Sequence, residues 1–320
     1  KKPPQVAASG VWNTVLLSLK RLLTMLKIYC NGITLSLPKN SQSGGAVRSK
    51  TTGWSESSTR SNTQFLYSVN SEQLTGFGYA FTFTIRDLPP TPNDWYLVRK
   101  RFFQRVKRMG LLRYHWVTEW QRRGVPHLHG CLYFDHELHF NEVQKIKSHW
   151  SKSASDYVAN FKAQDIKIIE SAVGWLKYLA KHGSRSKYHY QRSSKPPEWD
   201  SSGRVWGKGG EWPQKLTEAD LSTSDYYIFR RLAKRWRIAD SRTNQPVSYN
   251  GYTLYPDHPL YRQILPNGYK NTRRIKQAKV SLKANREQSA VRGMSEWIGE
   301  QTAFQMLSYL TSLKTNSEQE

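Results

Sequence analysis

Two histidines one residue apart, His127 and His129, sit in Gly-Val-Pro-His-Leu-His-Gly-Cys-Leu-Tyr-Phe (124–134), with Glu119 eight positions before the first. Alternate side chains of a β-strand share a face, so both imidazoles point one way and Leu128, Gly130, Leu132 and Phe134 the other. The preceding run, Leu112 to Trp120, also reads as a strand, and only Arg122-Arg123-Gly124 need separate the two. A three-residue hairpin loop favours a left-handed glycine in its last place, which Gly124 supplies. That register sets Glu119 opposite His127 and Val117 opposite His129. Two imidazoles and a carboxylate on one face can hold a divalent cation with coordination positions left open. Donor type alone leaves Zn²⁺, Mn²⁺ and Mg²⁺ open, because imidazole suits transition metals and carboxylate suits harder ions. A lone strand histidine is more often hydrogen-bonded or half-exposed, and His115, His136, His139 and His149 are read that way.

A second reactive pair lies on an expected helix from Ala172 to His182, stopped by Gly183. Its apolar stripe is Ala172, Val173, Leu176, Leu179 and Ala180, whereas Tyr178 and Lys181 project from nearly the opposite side, one turn apart. Tyrosine is a poor nucleophile at its ordinary pKa of about 10, so attack on phosphorus needs a nearby cation to favour the phenolate. Lys181 and a metal ion can supply it. From the helix alone, a solvated tyrosine over a lysine stem is the commoner pattern.

These groups need a scaffold, and the pattern of elements describes one. Residues 76–85 alternate aromatic and small residues like a buried strand, and Pro89-Pro90-Thr91-Pro92 breaks the chain. Asn93 or Asp94 can then cap a helix to about Met109, with Leu97, Phe102, Val106 and Met109 as its stripe. Arg99-Lys100-Arg101, Arg105, Lys107 and Arg108 cover the rest, a face that can meet phosphates or simply water. After the hairpin come a helix with Val143, Ile146 and Trp150, another around Asp156–Lys162, and a short strand at 165–169. Strand, helix, two strands, helix and strand make an α+β unit over 74–192, an antiparallel central sheet flanked by helices.

Around it, residues 1–73 read as a basic amphipathic helix (11–29) and a Ser/Thr/Gly-rich linker (38–63). Residues 193–215 read as a Gly/Pro-rich connector, and 216–320 as a mainly helical C-terminal region. The glycines of 203–210 lack the spacing and the Ser/Thr of a nucleotide P-loop, so no ATPase is indicated. With 49 Lys+Arg against 24 Asp+Glu, the net charge of +25 points to polyanionic partners. Twelve Trp, 18 Tyr and 11 Phe offer stacking surfaces that favour nucleic acid over a membrane. Cys30 and Cys131 are too few for a disulfide framework, which favours a reducing, cytoplasmic setting, and no apolar run is long enough to span a membrane.

Taken together, Phe81-Thr82-Phe83-Thr84, Glu119 with His127-Leu128-His129, and Tyr178-Leu179-Ala180-Lys181 resemble, in order and spacing, the three motifs of the HUH endonuclease superfamily. The nearest likeness is to rolling-circle replication initiators of filamentous and other single-stranded DNA phages and related plasmids. Gly203-Arg204-Val205-Trp206-Gly207 looks like a stretch that follows the domain in phage initiators. The resemblance implies an endonuclease that nicks one strand at a single-stranded or hairpin origin, with Tyr178 as nucleophile. Glu119, His127 and His129 would hold Mg²⁺ or Mn²⁺, and a host helicase and polymerase would act with it in the bacterial cytoplasm. His182 stands where two-tyrosine members carry a second tyrosine, which favours a single-tyrosine cycle. Tyr157 is a rival nucleophile that lacks a following lysine, and Tyr188 or Tyr190 are candidates for a second transfer. A transposase or relaxase shares this chemistry, a noncatalytic single-strand binder shares the charge and aromatics, and a zinc hydrolase shares the ligand types.

Overall fold

The computed structural model describes residues 24–36, 53–183, 188–193, 195–242, 247–250, 252–254, 276, 278–279 and 293–317. The chain divides into two compact units, one built on 42–216 with 29–31, the other on the two ends of the chain. The expected helix 11–29 and linker 38–63 fall partly outside the described residues, as does much of the expected helical tract 274–313.

Two strands come first, β1 (Thr24–Tyr29) and β2 (Ile33–Ser36). The helix expected to run to residue 29 is therefore a strand over its described part. Leu26 and Ile28 are buried while Met25 and Lys27 are not, a period of two that a short apolar window does not reveal on its own. Next, α1 (Glu56–Ser68) occupies sequence expected to be linker. Ser55 caps it through the Ser58 amide, and Phe65, Leu66 and Tyr67 are buried near its end.

The central unit follows in the order β3 (Phe77–Thr84), α2 (Pro92–Lys107), β4 (Leu111–Trp120), β5 (Pro126–Phe134), α3 (Phe140–Ser153), β6 (Asp165–Ile168), α4 (Ala172–Leu179), α5 (Tyr190–Ser193) and β7 (Trp206–Gly210). Five strands form one antiparallel sheet in the order β6-β3-β5-β4-β7. Helices α2 and α3 cover one face. Phe81, Phe83, Trp95, Val98, Phe102, Leu128 and Trp150 form the aromatic-rich core between them. Trp150 stacks on Phe83 at 5.1 Å and donates its indole N–H to the Thr84 carbonyl, so its one polar atom is satisfied. Truncating such a residue costs about 3–5 kcal/mol.

The stripe of α2 differs from expectation. Thr91 and Asp94 form a reciprocal capping box with Pro92 in the first turn, and the buried residues include Trp95, Val98, Phe102 and Val106. Leu97 is exposed. The helix expected around 156–162 is two single 3₁₀ turns, at Ser155–Tyr157 and Phe161–Ala163.

The other sheet face is covered in part by α1 and α4, so helices lie on both sides. Asn62 of α1 donates to the Leu179 carbonyl at 3.2 Å, its amide oxygen meets His115 Nε2 at 2.8 Å, and Phe65 stacks on the His115 ring. Gly130 of β5 has no room for a side chain: a Cβ there would run into the His115 carbonyl and the Phe81 ring.

In the second unit, β8 (Leu216–Leu221), α6 (Thr223–Arg242), β9 (Val247–Tyr249), β10 (Tyr252–Leu254), β11 (Gly293–Glu296) and α7 (Glu300–Ser317) join β1 and β2. Its four-stranded sheet has the order β11-β2-β1-β8, over a core of Leu26, Ile28, Ile33, Leu35, Tyr226, Phe229 and Met294. The C-terminal region is thus mixed, with β11 standing inside the expected helical tract.

Candidate active site

The β4–β5 hairpin has the expected register. Glu119 pairs with His127 and Val117 with His129, across a loop in which Gly124 takes a positive φ of 80°. Gln121 N–H bonds to the Val125 carbonyl at 3.0 Å, closing a three-residue loop. One residue more would have turned Glu119 to the helix-covered face.

The three candidate ligands therefore share the face away from the aromatic core. The His127 and His129 rings stand nearly perpendicular with their Nε2 atoms 2.7 Å apart. Thr82, directly across on β3, places Oγ1 2.9 Å from His129 Nδ1. If the hydroxyl accepts from Nδ1–H, Nε2 carries a lone pair directed at the site. Burial pulls the pKa of His127 down to about 4 and that of His129 to about 3, against the opposing pull of Glu119. Both are neutral at pH 7, the form that binds metal. Two bare nitrogens 2.7 Å apart repel, so a proton must sit between them or a cation must replace it.

Glu119 is fully buried. Its Oε1 accepts from Lys181 Nζ at 2.7 Å and His182 Nε2 at 2.9 Å. Its Oε2 has no hydrogen-bond partner and lies 3.5 Å from His129 Nε2. Burial pushes this carboxyl up. The His182 hydrogen bond and the charges of Lys181, His182 and His129 outweigh that and hold it well below the usual carboxylate range. Among the described residues no three His, Cys, Asp or Glu side chains stand ready-made around a metal position. The donor chemistry nevertheless fits a divalent ion: an orphaned buried carboxylate oxygen and two neutral imidazoles converge, and the imidazole nitrogens must part slightly to share an ion.

Tyr178 reaches this cluster from α4. Its ring meets His129 edge-to-face at 5.8 Å, stacks on Trp175 at 4.8 Å and is 40% exposed. Lys181 Nζ lies 3.9 Å from the Tyr178 ring centroid while bound to Glu119, so one ammonium links the tyrosine to the carboxylate. All five sequence-selected residues, Glu119, His127, His129, Tyr178 and Lys181, thus come together.

Sequence reading assigned no structural part to His182. An ideal α-helix would splay consecutive side chains by about 100°, but α4 ends at Leu179 and a 3₁₀ turn, Lys181–Gly183, aims both Lys181 and His182 at Glu119. Trp54 stacks on His182 at 4.2 Å and donates to the Thr118 carbonyl at 2.8 Å, fixing the imidazole beside β4. Neither role carries a local sequence signal; only the adjacency of His182 to Lys181 hinted at it.

The other candidates lie elsewhere. Tyr157 packs on the aromatic core on the opposite side of the sheet. Tyr188 is largely exposed, and Tyr190 lies beneath Arg122 at 5.3 Å. His136 pairs with Asp135 and Glu142 at the surface, as expected of a histidine without a special role. The glycine-rich 203–210 segment ends in the edge strand β7, which settles it as sheet rather than phosphate loop.

Comparison with known proteins places the chain among replication proteins. The family described as replication-associated protein ORF2 matches residues 78–183, which span β3 to the 3₁₀ turn after α4. The chain is 38% identical over 296 residues to a replication-associated protein of Pseudomonas phage Pf3, covering 90% of this chain and 97% of that protein. It is 42% identical over 217 residues to a putative replication protein of Xylella fastidiosa strain 9a5c, covering 65% of this chain and 76% of that protein. A putative replication protein of the Temecula1 strain is 40% identical over 216 residues, covering 64% of this chain and 81% of that protein. No solved structure matches the chain. Among the described residues no helix is long and apolar enough to cross a membrane.

Proposed function

The chain belongs to the replication-associated protein ORF2 family, and from that premise we propose that it initiates rolling-circle replication by nicking and rejoining one DNA strand through Tyr178. The observation that carries this reading is the convergence of Tyr178, Lys181, Glu119, His127 and His129 onto one sheet face.

The Tyr178 oxygen attacks a phosphodiester phosphorus as its proton leaves to solvent. A phosphorus–oxygen bond to tyrosine forms, and the bond to the 3′ oxygen breaks, leaving a 5′-phosphotyrosine and a 3′-hydroxyl for a polymerase. Lys181 favours the phenolate by its charge. Glu119, held at Oε1 by Lys181 and His182, keeps Oε2 for the site. Bound to Glu119, His127 and His129, Mg²⁺ or Mn²⁺ would supply Lewis-acid stabilisation of charge on the scissile phosphate. Attack by a new 3′-hydroxyl on the phosphotyrosine reverses the step and rejoins DNA without ATP, since one ester replaces another.

Single-stranded or hairpin origin DNA is the proposed substrate, with a host helicase and polymerase as partners in the bacterial cytoplasm. The test uses labelled single strands tiling the replicon that encodes the chain, incubated with protein and Mn²⁺ and run on a denaturing gel. A protein–DNA adduct that disappears with Tyr178→Phe and with chelator is expected. Tight binding with no adduct on any strand would move the chain to the noncatalytic class. An adduct retained by Tyr178→Phe would transfer the role to another tyrosine.

A further inference from the structure

The helix-covered side of the central sheet carries a second charged opening. Between α2 and the sheet edge formed by β4 and β7 lies a cleft of about 550 Å³. Tyr114 and Trp116 lie on its floor, seated against Gly207 and Gly209 of β7, where any Cβ would strike their rings. Tyr96, Arg99, Lys100, Phe103 and Lys107, one stripe of α2 at helical spacing, form its wall. Arg204 closes the end, and among the described residues no carboxylate lines it.

Arg99 is the unusual member. The sequence places it on a basic, water-facing helix surface, yet it is 4% exposed. Its guanidinium lies 4.1 Å over the Trp116 ring and donates to the Arg204 carbonyl at 2.9 Å and to Thr118 Oγ1 at 3.3 Å. Its Nε is buried without a hydrogen-bond partner. Burial, with the like charge of Arg204, pulls its pKa down to about 9, and no carboxylate offsets this. A buried, unneutralised cation is costly unless an anion completes the site. The charged neighbours that line the cleft with it are further cations, and the exposed Tyr96 offers a flat ring beside them.

We propose that this cleft binds nucleotide units of single-stranded DNA on the side of the sheet away from Tyr178. Phosphates lie against Lys100, Lys107 and Arg204 above the fixed charge of Arg99, and a base stacks on Tyr96. The volume, within the ~300–1,000 Å³ of small-ligand sites, admits a nucleotide or two and excludes a duplex. The contact goes beyond the nicking centre and shares with it only the premise that DNA is a ligand.

The test is fluorescence anisotropy of a labelled single strand over a salt series, with Tyr178→Phe protein and no added divalent ion, so that binding is read apart from cleavage. Combined Lys100→Ala, Lys107→Ala and Arg204→Ala, all at exposed positions, should lower the slope of log affinity against log salt by about 2, at ~0.7 per lost phosphate contact. Tyr96→Ala should weaken binding roughly five- to hundredfold with the slope unchanged. A matched removal of exposed cations elsewhere, Lys145→Ala, Lys152→Ala and Lys162→Ala, should do much less. Equal losses from the two triple variants, or wild-type slope and affinity in the cleft variants, would overturn the proposal. Deoxyadenosine monophosphate or triphosphate is titrated as a second probe. Free-nucleotide binding that the cleft triple abolishes, with strand binding untouched, would assign the cleft to free nucleotides and also overturn it. Failure of wild-type protein to form an adduct would leave these binding results standing, so the two readings fail separately.

Discussion

Glu119→Gln tests the centre most directly. The substitution keeps shape and an acceptor oxygen but removes the negative charge that binds Lys181 at 2.7 Å and His182 at 2.9 Å. Glu119 is fully buried and the Lys181 side chain is 12% exposed, so the lost charge is poorly replaced by water. Breaking a buried pair by removing one partner costs about 3–5 kcal/mol. The amide oxygen still accepts one bond and Lys181 keeps some solvent, so the lower end, about 2–3 kcal/mol, is expected. Urea unfolding at pH 7 measures it. Adding Lys181→Met should recover part of the loss, giving a coupling of at least about 1 kcal/mol in a double-mutant cycle. The sign in acid follows from the carboxyl's folded pKa, which lies below its ordinary 4.5. The contribution is fully present above that value and is lost as pH falls through the folded one. The gap between wild type and variant should hold from pH 7 to 5 and close below. A variant within about 0.5 kcal/mol of wild type at pH 7, or a gap that does not shrink in acid, would refute the buried-pair reasoning.

Three further outcomes are expected. Thr82→Val removes the oxygen 2.9 Å from His129 Nδ1 and should weaken Mn²⁺ binding by about ten- to hundredfold in calorimetry, with thermal stability little changed. His115, buried and with its pKa pulled down to about 3, contributes stability that is full above its ordinary 6.5 and is lost as pH falls. His115→Gln should accordingly flatten the pH dependence of urea stability between pH 6 and 4 by up to about 1.4 kcal/mol per pH unit. Gly130→Ala forces a methyl against the His115 carbonyl and the Phe81 ring, and should destabilise by about 1–3 kcal/mol or more in thermal unfolding, displacing the hairpin that carries both histidines.

What the sequence revealed follows from how local each signal is. The β4–β5 hairpin was legible because alternation and one left-handed glycine lie within a short stretch. The α1 helix was not, since Glu-Ser-Ser-Thr-Arg-Ser-Asn-Thr begins as polar as any linker and its apolar residues come only near the end. Strand β1 escapes a local reading because Thr24–Tyr29 continues an apolar run, and its partners are chosen by the tertiary fold rather than by neighbours. Within the site, ligands and tyrosine were found from their spacing, whereas the service of His182 and Trp54 to Glu119 depends on the 3₁₀ turn and a contact 128 residues apart in the chain.

The pairing of β2 with β11 also sets a clock on synthesis. Ile33 faces Glu296, 263 positions later, a delay of roughly 13 to 53 s at about 5–20 residues per second. The central unit, complete by residue 216, emerges well before then. Through that interval one edge of β2 lacks its partner strand, and Leu26, Ile28, Ile33 and Leu35 await part of their cover. A chain ended before Gly293 would keep that open edge for good, and its first symptom should be aggregation during expression rather than loss of the hairpin chemistry.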